Sequence, residues 1–260
     1  MKVTETNTSE GVVVIQDLTK SFDTTEVLKG INLSLKKGEN LVVLGKSGTG
    51  KSVLIKCIVR LLNSDSGSIK VLGDEVTELN NTQMNEVRRK IGFLFQGGAL
   101  YDSMTVRENL EFPLKRMYKN LTKEEVDAKV KEALENVGLP DSIDKMPSEL
   151  SGGMKKRISL ARTIIVDPEI MLYDEPTTGL DPVSSHEISL LINEVQQKYK
   201  TSSIIITHDI ECAKTVANRI IMLQEGKVYK EGNLSDFENS DDELVNSYFK
   251  SQNITNTKTI

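Results

Sequence analysis

The sequence has 260 residues, 38% hydrophobic and 27% charged, with 33 Lys and Arg against 38 Asp and Glu for a formal net charge of −5. That length suits one large domain, or one domain with a subdomain, that buries most of its apolar surface. The acidic balance argues against a general nucleic-acid binder, whose footprint would be basic, and no apolar run approaches the ~20 residues of a membrane span.

Residues 1–10 are polar and lack the apolar core of a secretion signal, so a cytosolic chain is expected, with any membrane link made through a partner. Residues 12–15 and 31–35 read as strands, the second with period-two alternation. Phe22 lies between them; its ring offers either a stacking surface for a base or plain core. The apolar run 41–44 reads as a buried strand and 53–62 as a helix. Between them, Gly45-Lys46-Ser47-Gly48-Thr49-Gly50-Lys51-Ser52 fits the spacing Gly-x-x-x-x-Gly-Lys-Ser/Thr. Glycines let the backbone curl so that N–H groups converge on a phosphate, and the following helix adds its positive end. Lys51 then reaches the β- and γ-phosphates, and the Ser52 hydroxyl takes a place on Mg²⁺. Cys57 and Cys212 sit far apart in apolar, helix-like contexts, the pattern of buried thiols in a reducing compartment.

Residues 68–72 and 91–95 read as short strands separated by a charged segment with Arg88, Arg89 and Lys90. Gln96 follows, a loop residue or, beside a nucleotide, a contact to Mg²⁺ or the attacking water. From 97 to 147 the pattern turns helical. Thr122 and Glu125 form a capping box whose helix closes at Gly138, and 105–116 reads as a helix interrupted by Pro113. In Leu150-Ser151-Gly152-Gly153-Met154, Ser151 is placed to cap a helix, making a second anion-binding device or an ordinary tight turn. The strand 170–173 ends in Asp174-Glu175, where an α/β protein with a phosphate loop places a Mg²⁺-associated Asp and, beside it, a carboxylate to activate water. A turn at 178–182 leads into a helix from about Ser184 that carries His186, an incidental face residue. The strand 203–206 puts His208 at its tip, on the ligand-binding rim of such a sheet. Strands at 220–223 and 227–230, an acidic stretch 236–243, an amphipathic element at 244–249 and a disordered tail, 250–260, complete the chain.

Together these stretches resemble the nucleotide-binding subunit of ABC transporters, from about residue 12 to 249. Residues 45–52 match Walker A, 170–174 Walker B, Gln96 the Q-loop, 150–154 the signature, Leu180-Asp181 the D-loop and His208 the switch histidine. The resemblance implies an α/β fold: a P-loop NTPase core with a RecA-like mixed sheet flanked by helices, an N-terminal antiparallel β-subdomain and an inserted α-helical subdomain at about 97–160, within one ATP-binding domain, 11–249. It implies an ATP hydrolase using ATP and Mg²⁺, held by a transmembrane permease on the inner face of the membrane. Two subunits, either two copies of this chain or this chain and a paralogous ATPase subunit, would sandwich two nucleotides, with Ser151, Gly152 and Gly153 of one facing the γ-phosphate held by the other. Ser52, Asp174 and Gln96 would organise Mg²⁺, Lys51 and the loop amides neutralise phosphate charge, Glu175 polarise water, His208 hold the γ-phosphate and Phe22 stack on adenine.

One departure stands out: the signature ends in Met154, where the family usually has Gln. That residue and the stretch 95–106 look like the ATPases of lipid-asymmetry (Mla-type) transporters, which move phospholipids with a permease and a mammalian-cell-entry-domain protein. Phospholipid transport is therefore the expectation; an amino acid or metal importer ATPase is the alternative. A non-transport ABC ATPase acting on DNA or ribosomes fits less well, because no long heptad run and no second ATPase core are present.

Overall fold

Two stretches rich in β-branched residues open the described chain as an antiparallel hairpin, β1 (Val13–Phe22) and β2 (Thr25–Leu35). Both run longer than the apolar runs 12–15 and 31–35 suggest, because a bulge at Asp17, φ 48°, lets the polar stretch up to Phe22 stay paired. The computed structural model describes residues 11–249, so the tail 250–260 lies outside the described residues. β3 (Asn40–Leu44) leads through the glycine loop into α1 (Lys51–Ile58), which starts two residues before the expected 53. β4 (Ser66–Val71) and β5 (Asp74–Glu75) complete a four-stranded antiparallel sheet in the order β2-β1-β4-β5.

The charged segment that follows is a helix, α2 (Asn81–Arg89), opened by an Asn80–Gln83 capping box and seated by Met84 and Val87. After β6 (Ile91–Leu94), α3 (Val106–Met117) runs unbroken through Pro113, correcting the expected interruption. The proline forgoes one backbone bond, while buried Leu110 and Leu114 on either side hold both turns against the core. α4 (Lys123–Asn136) begins at the Thr122 box, and α5 (Gly152–Ile164) begins at Ser151, as expected. Then come β7 (Ile170–Asp174), α6 (Pro182–Tyr199), β8 (Ser202–Thr207), α7 (Ile210–Val216), β9 (Arg219–Gln224) and β10 (Lys227–Gly232). α6 starts two residues before the expected Ser184, because Asp181 caps it by accepting the N–H groups of Val183 and Ser184. The acidic stretch 236–243 joins α8 (Leu234–Glu238) to α9 (Glu243–Phe249), and the rings of Phe237 and Phe249 lie 5.7 Å apart.

The second sheet has the order β10-β9-β3-β8-β7-β6, all parallel except β10. Leu41 and Val43 of β3 face the antiparallel sheet and α1, with Leu172, Ile204 and Ile206 beside them. Val42 and Leu44 face the other way, with Met171, Tyr173 and Ile205, onto a core completed by α3 to α9. Strand alternation thus builds two cores on one shared sheet. The parallel strands also end in step: Leu44 lies opposite Thr207, Asp174 opposite Ile206 and Leu94 opposite Tyr173. Their C-terminal ends form one line, the edge where α/β sheets carry ligands. Among the described residues no helix is long and apolar enough to cross a membrane. Cys57 and Cys212 are free and buried, as the sequence suggests.

Candidate active site

The chain must turn from a fully buried strand into a helix within a few residues, and glycine makes that possible. Gly50 has φ 96°, and a Cβ there would sit 2.8 Å from Leu28 Cδ2 and 3.0 Å from the Val27 carbonyl oxygen. The turn presents the free N–H groups of the first turn of α1 to the cleft in front of the strand ends. Lys51 is buried there, 5% exposed. Its Nζ donates to the carbonyl oxygens of Gly45 (2.8 Å) and Lys46 (3.1 Å) and lies 3.5 Å from Glu175 Oε1. Burial lowers the Lys51 pKa, while the Glu175 and Asp174 carboxylates oppose the shift. Ser52 Oγ donates to Asp174 Oδ1 at 2.8 Å.

Glu175 follows directly on β7 with a left-handed backbone, φ 50°, held by its N–H donating to the Ile206 carbonyl at 2.9 Å. A non-glycine residue in that region is strained, and the neighbouring strand fixes it there. Its Oε2 lies 2.8 Å from His208 Nδ1 and accepts the Thr178 hydroxyl at 3.3 Å. The His208 side chain is 58% exposed and Glu175 almost buried, so the ring covers the carboxylate from the solvent side.

A second buried ammonium stands behind these acids. Lys156 Nζ, on α5, donates to the Gln96 carbonyl at 2.5 Å and to the Glu175 carbonyl at 3.5 Å. Burial lowers its pKa, against the pull of Asp174 and Glu175. In the sequence it is the middle of three consecutive basic residues, 155–157; the signal that places it inside is the stripe it shares with buried Leu160 and Ile164, four and eight residues on.

A cavity of about 720 Å³ brings together Lys46, Ser47, Gly48, Gly50, Lys51 and Ser52 with Gln96, Glu175 and His208. Gly45 and Thr49 support the loop from behind, where the Thr49 hydroxyl donates to the Lys46 carbonyl at 2.9 Å. Asp174 stands behind the wall, reached through the Ser52 hydroxyl, and two further groups of expected residues stand apart from the cavity. Phe22 is 42% exposed at the end of β1, neither core nor cavity wall, with Lys20 Nζ 5.4 Å from its ring centre. Gly152 and Gly153 face Leu180 and Ser184 instead, and Ser151 is committed to capping α5 through the Met154 N–H at 3.2 Å. The Met154 side chain packs on the larger core. Tyr248 and Val27 line the cavity without having been legible as site residues.

The donor set suits the expected ligands. A hydroxyl and a carboxylate converging at Ser52 and Asp174 are hard oxygen ligands of the kind Mg²⁺ takes. A glycine loop beside a buried ammonium matches a triphosphate. Residues 28–178, more than half of the chain, match the family model described as ABC transporter. The chain belongs to the ABC transporter ATPases. This ABC ATPase is 38% identical over 225 residues to the methionine import ATP-binding protein MetN of Clostridium tetani, covering 86% of this chain and 70% of that one. It is also 38% identical over 245 residues to the probable ribonucleotide transport ATP-binding protein mkl of Mycobacterium leprae, covering 94% and 70%. The chain spans 60% to 70% of the length of its methionine-import relatives. Among solved structures, the dimeric ATP-binding cassette MJ0796, in a post-hydrolysis state bound to ADP and Pi, matches at TM-score 0.79 and 31% identity, over 85% of this chain and 98% of that one. The cbiO1 subunit of the cbiONQ transporter complex from Clostridium perfringens matches at 0.82 and 28%, over 95% and 98%. ABC transporter ATPases bind ATP with Mg²⁺ and hydrolyse it, and the cavity walls fit both.

Proposed function

We propose that this protein is the ATP-hydrolysing subunit of an ABC importer for a small solute, an amino acid of the methionine class. One observation carries the reading of the cargo: the 38% identity to a methionine-import subunit across 86% of the chain. In this reading residues 11–249 are the ATP-binding domain, with 97–160 its helical part, docked through a permease on the inner face of the membrane. Lys51 and the loop amides bind the triphosphate, with Ser52, Asp174 and Gln96 placed to hold Mg²⁺. When bound, the ion would supply charge neutralisation to the triphosphate. Glu175 orients the attacking water and takes its proton, and His208 steadies Glu175 and holds the γ-phosphate. Most of the work is positioning and charge stabilisation.

The stretch 151–153 lies off its own chain's cavity, which supports its use by a second copy, closing a two-nucleotide sandwich. Phe22 lies on the exposed end of β1, and adenine stacking there remains part of the proposal.

A second reading, Mla-type phospholipid transport with a mammalian-cell-entry-domain partner, rests on Met154 at the end of the signature together with the stretch 95–106. The test is purification of the intact complex with its permease, identification of what it carries, and ATP turnover with methionine or with phospholipid vesicles. Methionine-dependent turnover supports the importer. Co-purified phospholipid without an amino-acid response overturns it in favour of the second reading.

A further inference from the structure

The last described helix reaches back to the first glycine loop. α9 buries Val245 and Phe249 on one face. Its start is fixed by Asp242, which accepts the Tyr229 hydroxyl at 2.7 Å and the Val245 N–H at 3.0 Å. So seated, α9 carries Tyr248 onto the phosphate loop: the Lys46 N–H donates to the Tyr248 hydroxyl oxygen at 2.9 Å, and Lys46 Nζ lies 5.9 Å from the ring centre. Tyr248 lines the same cavity as Lys51 and Glu175. Its hydroxyl oxygen accepts from the loop, and its own proton has no acceptor among the described residues.

We propose that Tyr248 is a nucleotide-positioning residue: it ties the start of the phosphate loop to the end of the chain and donates its O–H to an oxygen of the bound nucleotide. The proposal rests on the reading of the cavity as the ATP site. An O–H donor beside a site for an anionic, oxygen-rich ligand has an evident acceptor, and a neutral hydroxyl can both accept and donate.

The test compares full-length wild type, Lys51→Ala, Tyr248→Phe and Phe249→Leu in binding of a fluorescent ATP analogue, steady-state ATP turnover and thermal unfolding without nucleotide. Tyr248→Phe keeps the ring and removes only the hydroxyl. Loss of one or two hydrogen bonds predicts a rise in Kd and KM of about 3- to 10-fold, with kcat within about twofold and the unliganded Tm unchanged. Phe249→Leu, which loosens the seat of α9, is expected to raise KM in the wild type and to add little to Tyr248→Phe, as expected for two residues acting through one contact. An unchanged or lower KM in Tyr248→Phe overturns the proposal, as does a KM rise that merely follows a lower Tm, or full additivity of the two variants. If Lys51→Ala binds the analogue as well as wild type, the ATP-site reading itself fails.

Discussion

At Glu175 a single carboxylate meets several demands at once. Oε1 faces Lys51 at 3.5 Å, Oε2 faces His208 at 2.8 Å, and the backbone holds a left-handed φ of 50°. Glu175→Gln keeps the shape and removes the charge. Turnover is expected to fall by about 100-fold or more while ATP binding persists, seen as phosphate release against nucleotide binding; turnover at the native rate would refute the assigned base. Lys51→Ala is expected to abolish nucleotide binding outright, read in the same assay. Lys156 acts differently, because it touches carbonyl oxygens and does not line the cavity. Lys156→Met leaves the Gln96 and Glu175 carbonyls without their donor, for an expected loss of about 1–3 kcal/mol in stability and roughly tenfold in turnover. Denaturant midpoints and phosphate release check the two parts; native values of both would leave Lys156 without a role.

Among the elements, the corner where β2 ends and β3 and β9 begin depends on the half-buried Arg219 and its carboxylate partners, Glu39 and, further out, Glu231. Arg219 holds Glu39 through two bonds, at 2.7 and 2.9 Å, and also donates to the Ser34 carbonyl. Burial pushes the Glu39 pKa up, but the Arg219 hydrogen bonds and charge, with the Lys36 N–H, outweigh it and hold the carboxyl below its usual value. A carboxyl lowered on folding contributes stability above its unfolded pKa and loses it as pH falls through the folded one. Arg219→Met is therefore expected to cost about 2 kcal/mol near neutral pH. Wild type and variant should converge in acid, at pH values below the usual carboxylate range, in melts recorded across pH; a constant gap would refute the pair as its source.

Elements also explain what could be read in advance. The parallel strands and the glycine loop were legible because each couples a short apolar run to a residue type with one use. α2 was obscured because only Met84 and Val87 are buried in an otherwise polar segment, and its capping box is the sole local sign. Lys156 was hidden by its charged neighbours. The Lys46–Tyr248 contact joins residues 202 positions apart and has no local signal at all. Phe22 shows the converse: its place by motif is clear, but neighbouring elements decide which way its strand end lies, and they leave it outside the cavity walls.

For the whole molecule, the separation of residues 151–153 from the cavity of their own chain makes a prediction about pairs. A Lys51→Ala copy has an intact signature, and a Gly153→Asp copy has an intact phosphate loop. Each alone is expected to be inactive. Mixed, they can assemble one site that combines the good loop of one copy with the good signature of the other, so ATP turnover should reappear on mixing. Turnover that stays absent, in a mixture shown to form the heterodimer, would refute the shared site.

β3 lies between β8 and β9 in the sheet, yet Leu44 and Ser202 are about 160 residues apart in the chain. At a synthesis rate of roughly 5 to 20 residues per second, the strand emerges about ten to thirty seconds before either neighbour. β6 waits for β7 through about half that length. During translation the five residues 40–44, all buried in the finished protein, have no strand partner, and their backbone edges offer a template to other chains. The strand that ends in the phosphate loop is thus the one the nascent chain must shelter longest.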